Sequence, residues 1–279
     1  MFLHRYHSFF YINTIHINGY NTKIQVEITV DTDNMIVEAV ETVEPIVLDI
    51  FNLRENRQNV NKKLALKSLK SHNFTKNVNI DEYNRVLMEL KEVDKTEKDL
   101  LEECDKNIVL VTILIGRIAI NASRQGSKDE KQQIDTVNKT TSKFGITLTN
   151  LSTTTYRPTK SGEILNQKEI KTRKIQKNDC LKSFDAKIEG KINGWVFAKV
   201  VIGNGGHQDN VFEEAHTFCD WVVKFGKTSE LYILLIDTNL TSIFDNLKNK
   251  YEHFPHLLIG NHVQVQQYFI DNYSKSCKI

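Results

Sequence analysis

Hydrophobic and polar positions along this chain follow two rhythms, and the changeover falls near the middle. Residues 1 to 33 read as extended, with KIQVEITV (Lys23–Val30) alternating at period two. Asn34 can cap a helix over MIVEAVETVEPIVLDIF, which Pro45 kinks or divides. LALKSLKSHNF is a short amphipathic piece. Asn79 or Asp81 then opens a helix through EYNRVLMELKEVDKTEKDLLEEC. An apolar helix over Ile108–Ala122 breaks near Gly126 and resumes as a polar helix, Lys128–Lys143, with Ser127 as cap and Glu130 completing a capping box.

From Gly145 the rhythm changes. ITLTNL, EILNQKEIKTRKI, LKSFDAKI and WVFAKVVI are short extended runs, the last two joined by the turn EGKING. A helix over 209–226, the strand ELYILLID, the helix LTSIFDNLKNKYEHF, the strand HLLIG and a closing helix from about Val263 follow. This order predicts an α/β fold, a mixed central sheet with flanking helices. Its core spans 145–279, and a mainly helical region with a short β segment, 1–144, packs on it.

Composition narrows the class. Of 279 residues, 40% are hydrophobic and 26% charged, as in an ordinary globular protein. The longest apolar run, IVLVTILIGRIAI, is too short to span a bilayer and contains Arg117. The N-terminus lacks the charged, aliphatic and small-residue regions of a signal peptide, so a cytoplasmic address is expected. Cys104, Cys180, Cys219 and Cys277 have no CxxC spacing, and neither disulfides nor a zinc site is expected. His4, His7 and His16 cluster near the start without a metal-ligand pattern, and no HExxH or serine elbow occurs. A net charge of +2 conceals a basic stretch, KEIKTRKIQKNDCLKSFDAKIEGK, that suits a polyanion.

The chemistry concentrates late in the chain. Asp185 lies in KSFDAKI and Lys199 in WVFAKVV, the two strands of one hairpin. A turn centred near Lys191 and Ile192 sets Asp185 close to residues 198–199. Glu213 and Glu214 sit in the first turn of the helix that follows. Two carboxylates and a lysine around one point are apparatus for phosphodiester hydrolysis: the acids hold Mg²⁺ and the lysine orients water or offsets transition-state charge. An ordinary cross-strand ion pair of Asp185 with Lys199 fits the same spacing.

SFDAKIEGKINGWVFAK followed by IGNGGHQDNVFEEA resembles the core of the PD-(D/E)xK nucleases, and type II restriction endonucleases in particular. The resemblance covers roughly residues 180–240. It implies that Asp185 is the first acid and Lys199 the motif lysine. Phe184 stands where the pattern has Pro, and Phe197 where it has the second acid. Some restriction enzymes carry that acid on the next helix, thirteen or fourteen positions past the lysine. Glu213 is fourteen past Lys199, and Glu214 remains an alternative. Glu189–Lys191 also spells acid–x–Lys but falls in the turn.

Candidate DNA contacts follow. Gly203, Gly205 and Gly206 permit close backbone approach, and His207, Gln208, Asp209 and Asn210 present base-reading groups. Asp209 or Asn210 can equally cap the helix. In ASRQGSKDE, which looks like a stretch seen in some restriction enzymes, Arg124 and Lys128 suit phosphate and Gln125 a base. Arg157 and Lys160, in YRPTKSG, form a basic turn that suits a DNA backbone. The resemblance implies a Mg²⁺-dependent, sequence-specific endonuclease for double-stranded DNA that leaves 5′-phosphate ends. It further implies a homodimer and a cognate DNA methyltransferase as genomic neighbour. A structure-specific repair nuclease and a DNA-binding protein with a decayed nuclease core are the rivals, the second supported by Phe197.

Overall fold

In the computed structural model, residues 7–17, 20–30, 38–41, 43–71, 73, 78–122, 125–152, 155–202 and 207–274 are described. For 7–17, 20–30, 38–41, 51 and 207–209 the description is of the backbone alone. Two compact units emerge, one formed by 1–48 with 132–279 and the other by 49–131. The sequence reading set a single division at 144/145.

The 49–131 unit is helical. α1 (Ile50–Lys70) starts on the Asp49 side chain, α2 (Ile80–Lys91) on Asn79, α3 (Glu97–Cys104) on a Thr96/Asp99 capping box, and α4 (Ile108–Ile118) on Asn107. Ala65, Leu69, Tyr83, Val86, Leu114 and Ile118 are among its core residues. The single helix expected from Glu82 to Cys104 is two helices, because the chain turns through Asp94 at φ +54° and Thr96 recaps it. Asp129 is buried and held by Arg54 at 2.9 Å and by Arg57. It lies on α5 (Gly126–Thr141), which starts before Ser127, so the expected Ser127 cap is an exposed first-turn residue instead.

Among the described residues the other unit holds three sheets. β1 (His7–Ile17), β2 (Tyr20–Val30) and β3 (Glu38–Glu41) pair antiparallel in that order. Residues 38–41 were expected to be helical, and the neighbouring Asn34 lies outside the described residues. The main sheet has five strands, ordered β10 (Leu257–Gly260), β9 (Leu231–Thr238), β8 (Gly194–Val201), β7 (Ala186–Gly190), β4 (Ile146–Asn150). β10, β9 and β8 run parallel, while β7 and β4 are antiparallel to their neighbours. The fold is thus α/β with a mixed sheet. α7 (His207–Phe225) and α8 (Thr241–Tyr251) return the chain between the parallel strands, and α9 (His262–Tyr273) closes it.

Period-two alternation gives the sheet two unlike faces. One carries Trp195, Phe197 and Tyr232 against Phe218 and Trp221 of α7 and Phe244 of α8. The other carries Ile188, Val196, Ala198 and Ile233 against Ile134 and Val137 of α5 and Val265 and Phe269 of α9. β9 is buried along seven of its eight residues, which is why it reads as a continuous apolar run. At the turn from β7, Gly190 has φ +114° and a Cβ there would lie 2.2 Å from Gly145 O, so no other residue fits.

β5 (Tyr156–Pro158) and β6 (Ile164–Asn166) form a small hairpin, followed by α6 (Gln167–Thr172). An extended run was expected over Glu163–Ile175. The helix forms instead because Asn166 and Glu169 make a complete capping box, Asn166 accepting from Glu169 N at 3.0 Å. Among the described residues no helix is long and apolar enough to cross a membrane.

Candidate active site

The β7–β8 hairpin positions the first two groups. Ala186 pairs with Val196 and Ile188 with Gly194, which centres the turn on Lys191. Pairing continues one residue further, with Asp185 N donating to Val196 O at 2.8 Å. Asp185 therefore stands opposite Phe197, two residues from Lys199, where the sequence register put it beside 198–199. Its side chain reaches forward: Ala198 N donates to Asp185 Oδ2 at 2.8 Å. Because Ala186, Ile188 and Ala198 face the aliphatic core, alternation turns Asp185 and Lys199 to the aromatic face.

A lysine near the end of an apolar strand has its explanation here. Lys199 is half-buried, and its Nζ lies 4.5 Å from the centroid of the Phe197 ring, a cation–π contact. Phe197 is 2% exposed and stacks on Phe218 at 5.1 Å with 15° between the planes. The position where the family pattern has its second acid is thus an aromatic platform beneath the lysine.

That platform floors a pocket of about 360 Å³. Pro158 and Leu181 wall it, and Lys182, Asn210, Glu213 and Glu214 supply its polar rim. α7 brings the rim residues there because Phe212, Ala215, Phe218, Cys219 and Val222 bury its other side. The two candidate acids differ. Glu214 is half-buried and ion-paired with Lys182 at 3.3 Å. Glu213 is exposed, and among the described residues its carboxylate has no hydrogen bond or ion pair.

α7 begins at His207, so Asp209 and Asn210 fall within its first turn and neither stands at the cap position. Asn210 is exposed at the pocket rim. The side chains of His207, Gln208 and Asp209, the loop 203–206 and Arg124 lie outside the described residues. Gln125 and Lys128 belong to the 49–131 unit, where Asn61 Nδ2 donates to Gln125 Oε1 at 3.4 Å and Lys128 is exposed. Arg157 is half-buried on β5 and Lys160 exposed in the turn after it. Glu189, set aside as part of a false motif, is engaged by Lys187 at 2.7 Å.

Two other sets of reactive side chains are structural. Burial pushes the thiols of Cys180 and Cys219 up, away from the lowered values of reactive thiolates. Asp237, buried at the end of β9, bonds His262 Nδ1 at 2.7 Å and accepts from Gln133 Nε2 at 2.5 Å. His262 Nε2 accepts from Leu48 N at 2.8 Å, so both ring nitrogens are used and the ring cannot serve as a general base.

Sequence reasoning missed two participants: Lys182 was counted only as bulk charge and Phe197 only as a missing acid. The structural role of Asp237 went unread as well, although LLID places an acid at a strand end. Comparison with protein-family models, curated proteins and solved structures finds no match to this chain.

Proposed function

We propose that the chain is a Mg²⁺-dependent endonuclease for double-stranded DNA, of type II restriction character and PD-(D/E)xK kind. The observation that carries the reading is the placement of Asp185 and Lys199 on one face of adjacent antiparallel strands, facing the helix that bears Glu213 and Glu214. Asp185 and Lys199 thus share the sheet face packed by α7, and Glu213 and Glu214 border the pocket that Phe197 floors.

The donor set suits an ion shared with substrate. Among the described residues no three His, Cys, Asp or Glu side chains group as a metal site. Mg²⁺ characteristically takes one or two carboxylates and completes its shell with water and phosphate oxygens. Asp185, with one oxygen bonded to Ala198 N, and Glu213, with its carboxylate uncommitted, fit that pattern better than Glu214, which already shares Lys182. When bound, the ion supplies charge neutralisation at the phosphate and acidifies water.

Lys199 holds its ammonium on the Phe197 ring, where it orients the attacking water and offsets charge at the phosphorus. Water oxygen bonds to phosphorus, the bond to the 3′-oxygen breaks, and that oxygen takes a proton. The products are a 5′-phosphate and a 3′-hydroxyl. One site cuts one strand, so a homodimer is required to cut both strands of a palindromic site. A cytoplasmic location and a neighbouring methyltransferase gene complete the reading.

Plasmid nicking in Mg²⁺ against EDTA tests it. Cleavage is expected in the wild type and in Lys191→Ala, and is lost in Lys199→Ala and Asp185→Asn. Phe197 in the acid position favours a second reading, a DNA-binding protein with a decayed core. Duplex binding without nicking under any divalent ion would establish that one.

A further inference from the structure

Between β4 and β7 the chain leaves the main sheet for an excursion, residues 156–182, with an unusual charge. It holds eight Lys or Arg against three acids, a net of +5 in a chain whose total is +2, so everything else together is net −3. The excess is not consumed internally. Arg173 pairs with Glu163 at 2.7 Å and Lys182 with Glu214 at 3.3 Å. Lys168, Lys171, Lys174 and Lys177, spaced by three, are all exposed, and among the described residues their ammonium groups have no ion pair or hydrogen bond.

The excursion is firmly rooted. Its two ends lie side by side, with Leu181 N donating to Pro158 O and Lys160 N to Asp179 O, both at 2.8 Å. Trp221 Nε1 of α7 donates to Thr159 O at 2.7 Å, a bond buried in the aromatic core. Gly162, at φ +95°, lies so close to the Phe225 ring that a Cβ would stand 2.5 Å from it. The same two ends line the candidate active pocket through Pro158, Leu181 and Lys182. A cationic surface held in place and ending at that pocket needs a polyanion whose charges repeat along a track, and a nucleic-acid backbone has that form.

We infer that residues 156–182 form the docking surface for a duplex, with Lys168, Lys171, Lys174 and Lys177 contacting phosphates and the track leading to the Glu213 pocket. The choice of a duplex over other polyanions rests on the nuclease reading, but the surface is tested by binding without cleavage. Fluorescence anisotropy with a labelled 24-bp duplex in EDTA, over a salt series, compares wild type with K168Q/K171Q/K174Q/K177Q. A control, K62Q/K63Q/K67Q/K70Q, removes four exposed lysines from α1 and changes the net charge equally.

The excursion variant is expected to lose at least about tenfold in affinity, with the slope of log K against log salt falling by roughly 2 to 4. The control should stay within about twofold, and unchanged thermal melting will show that both variants fold. Wild-type binding by the excursion variant, equal losses in both variants, no duplex binding by the wild type, or tighter binding of a single strand each overturns the inference. If the four lysines are needed for binding but no divalent ion supports nicking, the docking surface stands and the nuclease reading falls. If nicking proceeds and the excursion variant binds normally, the reverse holds.

Discussion

The two faces of the main sheet use the same kinds of side chain to opposite ends. On the aliphatic face, Asp237, His262, Gln133 and Gln266 are buried and tied to one another or to backbone, and Gln266 alone bonds Ile46 N, Ile46 O, Thr140 and the His262 carbonyl. On the aromatic face, Asp185 and Lys199 are half-buried, and Glu213 and Glu214 stand half-buried or exposed at the rim of a pocket. An acid bonded to a histidine suggests catalysis, yet here both nitrogens of the His262 ring are committed to structural bonds. What distinguishes a candidate reactive group is its exposure to solvent, as at Glu213, not residue type.

That contrast predicts separable losses. The largest is expected on the aromatic face: Lys199→Ala should reduce nicking about a hundredfold to a thousandfold while leaving the urea midpoint within experimental error. A comparable fall in stability would make Lys199 a packing residue. Next comes His262→Ala, which leaves the Asp237 carboxylate with Gln133 as its side-chain partner and takes the acceptor from Leu48 N–H. It should cost about 3 kcal/mol in urea unfolding with nicking per folded molecule unchanged. A cost under about 1 kcal/mol would remove the claim that the network holds this face together.

A smaller effect sits at the root of the excursion. Trp221→Phe removes the bond to the Thr159 carbonyl and should cost about 1–2 kcal/mol, seen as a lower urea midpoint and faster hydrogen exchange over 156–166. The smallest is a pH effect. Burial, then the nearby Lys250, holds His216 below its ordinary value of 6.5. The unfolded chain takes up the proton more readily, so this contribution is intact above about pH 6.5 and declines as pH falls through it. Nuclear magnetic resonance titration should find the His216 midpoint below the ordinary value, and His216→Asn should flatten the slope of stability between pH 7 and pH 5.

Much of the α/β core was legible. The EGKING turn, the alternation of WVFAKVV and the unbroken run LYILLID gave β7, β8 and β9, and α7 was readable from Ala215, Phe218 and Val222. Asp185 and Lys199 were likewise found on one hairpin. The register error of one to two residues arose because the ladder centres on Lys191 alone, and Asp185 recovers the distance through its side chain. Local pattern failed where distant groups decide. Ile46 and Leu48, read as helix, have their backbones bonded to side chains 214 to 220 residues away, which no window along the chain can register. Around Asn166 the signal was local and was outweighed by the β-branched residues nearby.

The bonds from Gln266 and His262 back to Ile46 and Leu48 also set an order of events during synthesis. When the ribosome has made residues 46–48, the side chains that will hold them do not yet exist. They arrive only with α9, 214 to 220 residues later, so this piece of backbone stays hydrated until that helix has been made. A stop codon ahead of residue 262 would deprive residues 46–48 of their anchor, and damage to α9 would be felt first more than two hundred residues away.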